Sequence, residues 1–271
     1  MHDYIQGKQE EKRRKKAHKI HLIVLSIAIV LSVSGIIWFL HSTIYTVADV
    51  SVGDTIDPVL RPEVTQLTWD YIHDRSFISS LLFNTQSLWG FSSHSLSQKI
   101  SETYPILADV SVSKNYITRI VSITARERKK VALWCNTGDA CWWFDDEGIL
   151  FLEGPLTQGQ LIDKVTSQSS STIQLGDKIP IEGGVSVINS IFSFLGSVGA
   201  PTKNIIWDKD LDEIQTDSHA PFPVIYFSIQ QNPQYALNEL KKYDMKSLAY
   251  IDLTINNRIY LCKKGAECDR K

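Results

Sequence analysis

The chain lacks the sequence features that usually mark an enzyme. It has no glycine-rich loop of the kind that cradles a phosphate group and no recognisable Ser or Cys nucleophile motif. His73, His94 and His219 have no nucleophile beside them in any such motif, which is typical of surface or capping histidines. The sequence therefore predicts a protein that is not an enzyme and that uses no cofactor, metal or small-molecule substrate.

One acidic cluster, Asp145-Asp146-Glu147, needs separate consideration. A metal or catalytic site requires carboxylates that converge from separate elements or that follow the spacing of a calcium loop. These three carboxylates are consecutive and precede Gly148. The pattern favours a solvated hairpin turn.

Positive charge is scarce outside the N-terminus. Residues 1–19 hold 7 Lys and Arg against 3 Asp and Glu, and the rest of the chain holds 21 against 27. A protein that binds nucleic acid needs a basic face, so the acidic remainder argues against a nucleic-acid partner. The basic segment lies directly before an apolar run, where such charge is typical of a membrane topology signal and also meets anionic lipid.

That apolar run, Ile20–Leu40, is the one segment long enough to span a membrane. About twenty residues at 1.5 Å each cross the roughly 30 Å hydrocarbon core. A cleaved signal peptide is the competing interpretation, but its apolar core usually has only about 7–15 residues. We therefore predict a cytoplasmic tail over 1–19 and a transmembrane helix over 20–41. Because basic residues stay inside, everything after His41 should lie outside the cytoplasm, with the helix in the plasma membrane.

The four cysteines form two pairs with the same spacing, Cys135 with Cys141 and Cys262 with Cys268. Each pair encloses a turn that contains glycine, and disulfides persist outside the cytoplasm. Four cysteines still allow three connectivities. A Cys₄ zinc site is a further alternative, although paired zinc ligands usually have about two to four residues between them. We predict two local disulfides.

Hydrophobic periodicity predicts an α+β fold after the membrane helix. Region 44–128 reads as strand, helix, helix, strand, strand, with strands at 44–52, 107–113 and 119–126 and helices at 58–75 and from Ser92 or Ser93 to before Pro105. Its predicted core contains Val50, Leu67, Ile100, Val110, Val121 and Ile123.

Region 129–262 reads as a mostly β domain, followed by a tail at 263–271. Its predicted strands are 131–134, 142–144, 149–152, 205–207, 224–229, 249–255 and 258–262, with helices at 185–198 and 235–243 and a Ser-rich loop at 166–172. Asn256-Asn257 fits a tight turn, because asparagine tolerates positive φ.

Several short motifs stand out after the membrane span: Tyr104-Pro105-Ile106 before a strand, Val110-Ser-Val112, Val121 to Arg128, Trp143 to Phe151 and Ile251-Asp252-Leu253. These motifs resemble those of the bacterial cell-division proteins FtsQ/DivIB, and the element order directly after a single span resembles a POTRA domain. The sequence departs from the family at Lys130, where proline is usual, at Thr254, where arginine is usual, and in both cysteine pairs.

The resemblance implies a non-enzymatic scaffold of the divisome at the septum, which binds the small coiled-coil partners FtsB and FtsL. Another chain would add a strand at the open C-terminal edge of the sheet. By family position the partner-binding residues are Ile255, Asn257, Arg258, Ile259, Tyr260, Leu261, Cys262 and Lys263. Two other classes stay open: a POTRA-bearing secretion or envelope-assembly component, which would normally feed a β-barrel, and an extracytoplasmic sensor or binding protein.

Overall fold

The structure is a computed structural model that describes residues 2–40, 42–74, 86–136, 140–156, 161–168, 173–181, 183–217 and 221–268. The chain forms two compact units. The first contains Met1–Ile100 and Asp109–Ala125, and the second contains Ser101–Ala108 and Arg126–Lys271. The fold is mixed α+β, as the sequence predicts.

The described chain contains the following helices and strands, each type numbered in chain order. The α-helices are α1 (His2–Leu40), α2 (Leu60–His73), α3 (Ser93–Thr103), α4 (Gly184–Ser197) and α5 (Leu237–Leu240), and short 3₁₀ helices span Thr43–Tyr45, Leu88–Gly90, Pro233–Ala236 and Met245–Ser247. The strands are β1 (Asp49–Val52), β2 (Leu107–Asn115), β3 (Ile120–Glu127), β4 (Ala132–Asn136), β5 (Cys141–Phe144), β6 (Leu150–Glu153), β7 (Lys164–Ser167), β8 (Asn204–Asp208), β9 (Glu213–Thr216), β10 (Val224–Ser228), β11 (Leu248–Leu253) and β12 (Tyr260–Lys263).

Helix α1 is long and apolar enough to cross a membrane. The candidate span covers Lys19–Tyr45, with a mean hydropathy of 2.6 over its most apolar stretch and no part of that stretch buried in the protein. Apolar side chains left exposed along a helix are costly in water. By length and composition, α1 suits a bilayer better than an aqueous surface.

The first unit contains a sheet with the order β1-β3-β2. Strand β1 runs parallel to β3, with Val50 opposite Val121. Of the predicted core, Val50, Ile100, Val121 and Ile123 are buried. Leu67 and Val110 are only half-buried, which corrects their assignment to the core.

Two local features explain these corrections. The buried stripe of α2 consists of Val64, Thr68 and Ile72, so Leu67 lies at its flank. In β2, Asp109 has a φ of 54°, which interrupts the in-out alternation before Val110.

Strand β1 is shorter than predicted, because its partner strand begins late. Asp49 pairs with Ile120 at the start of β3, so the pairing with β3 cannot extend to earlier residues. Thr46 and Val47 pair with Ser87 and Gln86. Thr43–Tyr45 forms a 3₁₀ turn instead, and the Ser42 hydroxyl accepts a hydrogen bond from the Ile44 N–H at 3.3 Å.

The second unit contains a nine-stranded mixed sheet with the order β12-β11-β10-β9-β8-β7-β4-β5-β6. The pairs β10/β11, β7/β8 and β4/β7 are parallel. One large core joins the apolar face of α4 to the sheet, and its buried members include Trp134, Phe144, Ile188, Phe194, Ile205 and Phe227. Strands β7 and β9 were not predicted. Thr166 and Ser167 belong to β7 and not to the predicted loop, and 169–172 lie outside the described residues.

Both predicted local disulfides are present. Cys135 and Cys141 face each other across the β4/β5 pair with a Cα–Cα distance of 4.1 Å. Cys262 is bonded to Cys268, with a Cα–Cα distance of 6.0 Å. All four cysteines are therefore oxidised, which excludes the Cys₄ zinc alternative.

Candidate functional site

Strand β12 lies at one end of the nine-stranded sheet. Its residues pair antiparallel with β11, Tyr260 opposite Asp252 and Leu261 opposite Ile251. The pairing then shifts by one residue, so that Ala249 forms a bulge. Across the described residues, β11 is the only strand hydrogen-bonded to β12.

The strand begins two residues later than predicted. Ile255, Asn257, Arg258 and Ile259 lie in the connection before β12, whereas Tyr260, Leu261, Cys262 and Lys263 form the strand itself. The connection is a tight turn in which the Ile255 carbonyl accepts a hydrogen bond from the Arg258 N–H at 3.1 Å. Asn257 takes a φ of 54°, the conformation for which asparagine was predicted there.

Tyr235 fixes this turn from the core side. Its hydroxyl donates a hydrogen bond to the Arg258 carbonyl at 3.1 Å. Burial, together with the negative charge of Asp252, raises the pKa of Tyr235 above its usual value. Tyr235 therefore stays a neutral donor at physiological pH and holds the beginning of β12 in place.

Side chains along this segment divide between the core and the solvent. Ile259 and Leu261 are partly buried against the main core. Ile255 is 47% exposed and Tyr260 is 43% exposed, and Arg258 donates to the Tyr260 hydroxyl at 3.3 Å. The solvent side of the segment thus offers two apolar side chains and one cation.

The tail beyond β12 folds back at once. The Ala266 N–H donates to the Lys263 carbonyl at 3.2 Å, and Cys262 is joined to Cys268. Lys264 donates to the carbonyls of Pro221 and Lys246, each at 2.8 Å. These bonds end the strand at Lys263.

At the opposite end of the sheet, the beginning of β6 pairs with the protein's own chain. The Leu150 N–H donates to the Asp177 carbonyl at 2.9 Å, and the Gly176 N–H donates to the Leu150 carbonyl at 2.7 Å. The Ile179 N–H continues the pattern with the Gly148 carbonyl at 2.8 Å.

The acidic cluster is not the fully solvated turn that the sequence predicted. Asp145 is completely buried, and its carboxylate pairs with Arg128 and accepts the N–H groups of Glu147 and Ile149 at 3.0 and 2.9 Å. Asp146 is exposed. The prediction failed for Asp145 because its cation lies 17 residues earlier in the chain.

Arg128 joins three separate segments of the second unit. Its Nε donates to the Pro105 carbonyl at 3.0 Å and its backbone N–H to the Ile106 carbonyl at 2.9 Å. Its guanidinium also pairs with Asp145 and, at 3.0 Å, with Glu147. Burial alone would lower the pKa of Arg128, but the bonds and charges of the two carboxylates outweigh burial and raise it. This arrangement stabilises the structure, and its contacts engage the Asp145 carboxylate within the protein.

Of the histidines considered from the sequence, His73 has hydrogen-bonding partners and His94 lies at the surface. His73 Nδ1 is 2.7 Å from the Trp69 carbonyl, and its Nε2 is 3.1 Å from the Gln86 side chain. His94 is exposed on α3, and His219 lies outside the described residues. Within the described ranges, no group of three or more His, Cys, Asp or Glu side chains is arranged to hold a metal ion.

A scan of the chain against protein-family models finds no match, and a search of curated proteins finds no significant relative.

Proposed function

We propose that this protein is a non-enzymatic, single-pass membrane scaffold of the bacterial division machinery, of the FtsQ/DivIB kind. It binds small coiled-coil partners of the FtsB/FtsL type, which add a strand to β12. Its short basic tail lies in the cytoplasm, α1 crosses the plasma membrane, and the parts of the two units that follow α1 act outside it at the septum.

The element order of the first unit supports this proposal. Within the described residues, a strand, two α-helices and two strands (β1, α2, α3, β2, β3) follow one membrane-length helix. This is the order expected of the POTRA domain of that family. The basic residues before Lys19 favour the cytoplasmic side for the tail, since positive charge is retained inside.

The motifs that resemble the family also meet in space. Pro105, Arg128 and Asp145 come from three motifs that are far apart in sequence, and Arg128 bonds to both of the others. The ion pair gives the residue types Arg128 and Asp145 a common structural reason, and Pro105 contributes only its backbone carbonyl. The ion pair therefore favours a family pattern over chance matches.

The observation that carries the binding proposal is the position of β12 at the end of the sheet, next to β11. The outward N–H and C=O groups of a terminal strand can pair with another chain, which supplies affinity through main-chain hydrogen bonds. Ile255 and Tyr260 supply specificity, because nearly half of each side chain is exposed beside that edge.

Proline substitutions in β12 test strand addition. Consecutive N–H groups of a strand point to opposite edges, so Tyr260→Pro and Leu261→Pro remove one outward and one inward donor. The outward variant should keep a folded ectodomain and lose most of its binding to the FtsB-type protein of the same organism. Pull-down with purified proteins measures binding, and circular dichroism measures folding.

Glu153→Pro, in the terminal strand β6 at the other end of the sheet, is the matched control and should keep partner binding. If both β12 variants are folded and bind the partner normally, strand addition at β12 is wrong.

A further inference from the structure

A row of aromatic rings leads away from the end of α1 across the first unit. Phe39 lies 5.5 Å from Tyr45, Tyr45 lies 6.0 Å from Trp89, and Trp89 lies 5.0 Å from Tyr116, measured between ring centroids. We call these four residues the aromatic row. It ends at the turn between β2 and β3, where Ile117 is 94% exposed.

The middle of the aromatic row is held rigidly. The 3₁₀ helix Leu88–Gly90 buries Leu88 completely and turns Trp89 outward, so that its side chain is 52% exposed. Lys114 fixes this helix by donating to the Leu88 carbonyl at 2.8 Å and to the Phe91 carbonyl. The exposed indole is therefore a fixed feature of the surface.

The end of the row is fixed as well. The Asn115 side chain accepts the N–H groups of Ile117 and Thr118, each at 3.0 Å, which shapes the tip of the β2–β3 turn. The tip presents Tyr116 and Ile117 to the solvent beside the exposed Arg119. Transfer of an almost fully exposed isoleucine side chain from water to an apolar phase lowers the free energy.

A second hairpin of this protein provides an internal contrast. In the β8–β9 turn the Asp208 side chain accepts the N–H groups of Asp210 and Leu211 at 2.9 and 3.2 Å, and Leu211 is 65% exposed. The geometry is the same, but that tip carries Asp208, Asp210 and Asp212 against one cation, Lys209, and no aromatic ring. An acidic tip is repelled by anionic lipid, whereas an aromatic tip beside Arg119 is attracted to it.

We propose that the aromatic row and the tip residue Ile117 lie in the membrane interface, at the leaflet where α1 ends, and hold the first unit against the bilayer. This inference rests on the proposed membrane anchoring of α1. The occupant of the surface is phospholipid, because the row is continuous through Phe39 with the helix that would cross the bilayer. Tryptophan and tyrosine concentrate at this depth, since one part of each ring is apolar and the other can hydrogen-bond.

The test uses the full chain reconstituted in vesicles of mixed zwitterionic and anionic phospholipid. All four native cysteines are in disulfides, so Ile117→Cys and the matched control Leu211→Cys can each carry one environment-sensitive fluorophore. Phospholipids with a spin label near the headgroup end of the acyl chain serve as quenchers. The label at 117 should be quenched several-fold more than the label at 211, and adding Trp89→Ser should reduce that quenching.

Equal quenching at both positions, in protein that stays with the vesicles after alkaline carbonate washing, overturns this inference alone. Protein that is released by the wash overturns the proposed anchoring and this inference with it. A label at 117 that changes only when the division partner is added would assign the surface to a protein contact and also overturn the inference. Binding at β12 is measured separately and does not depend on any of these results.

Discussion

The two ends of the nine-stranded sheet differ in what lies beside their last strand. At β6, backbone groups of Gly176, Asp177 and Ile179 bond to the strand and the turn before it. At β12, the only neighbouring strand among the described residues is β11. A segment of the same chain thus pairs with the beginning of β6, whereas β12 is a four-residue strand followed by a folded-back tail.

Under the proposed function, this difference separates residues that stabilise the sheet from residues that bind the partner. The β6 end has a buried ion pair at Asp145, a positive-φ glycine in a crowded turn and a pairing segment. The β12 end has exposed side chains and a local disulfide. Variants at the β6 end should therefore cost stability, and variants at the β12 end should cost partner binding.

The largest effect is expected at Arg128. Arg128→Met leaves the Asp145 carboxylate buried without its cation, and removing one partner of a buried pair costs about 3–5 kcal/mol. Urea unfolding of the ectodomain measures the loss, and Lys129→Met, at the exposed neighbouring position, should be nearly neutral. A loss below about 1 kcal/mol would match an exposed pair and would show that Arg128 does not stabilise the β6 end.

The two disulfides should differ in the same way, one acting mainly on stability and the other mainly on partner binding. Each bridge closes a loop with a sequence separation of 6, for which chain entropy predicts about 2 kcal/mol. Replacing Cys135 and Cys141 by Ser should lower the unfolding free energy by about that amount, because this bridge joins two paired strands, β4 and β5, whereas Cys268 lies beyond the last strand. Replacing Cys262 and Cys268 should cost less stability and should weaken partner binding more. The opposite ranking in unfolding and pull-down measurements would contradict this assignment of roles.

A matched pair of glycines compares packing at the two ends directly. Gly148 and Gly265 have nearly the same φ, 82° and 81°. A Cβ at Gly148 would stand 3.0 Å from Ile179 and 3.3 Å from Val185, whereas no described residue would lie within 4 Å of a Cβ at Gly265. We expect Gly148→Ala to cost about 2–3 kcal/mol and Gly265→Ala about 1 kcal/mol. Equal losses of unfolding free energy for the two variants, measured by thermal unfolding, would mean that crowding around Gly148 does not affect stability.

The smallest effect is expected at Tyr235. Tyr235→Phe removes its hydrogen bond to the Arg258 carbonyl and should cost about 1 kcal/mol at neutral pH. Because burial and Asp252 raise the pKa of Tyr235 in the folded state, the wild type should lose this contribution as pH rises from about 10, the unfolded pKa. Alkaline unfolding curves should therefore converge for the two proteins, and curves that stay parallel would contradict the prediction.

Sequence periodicity predicted the elements whose signals are local. Helix α3 was predicted because serine can cap its start and Pro105 excludes a longer helix, and the Ser92 hydroxyl does accept the Ser95 N–H at 3.3 Å. The turn at Asn257 likewise depends on one residue type at one φ. The disulfides could be proposed from spacing, although other connectivities remained open.

Features that depend on distant partners were missed. Strands β7 and β9 have few apolar residues, and each is a strand because it lies between two others in the sheet. Asp145 reads as part of a polar turn unless Arg128 is known to lie beside it. In the candidate site, the sequence predicted a strand over 258–262. The strand β12 begins two residues later, at Tyr260, and Ile259 packs against the core from the turn before it.

The way the chain alternates between its two units sets a rule for cutting it into fragments. Residues Ser101–Ala108 belong to the second unit, although Asp109–Ala125 return to the first. A fragment that starts after Arg128 would leave out the guanidinium beside Asp145 and the carbonyls of Pro105 and Ile106. Expression clones and two-hybrid baits for the β12 edge should therefore start no later than Ser101, and a domain exchange with another protein needs more than one junction.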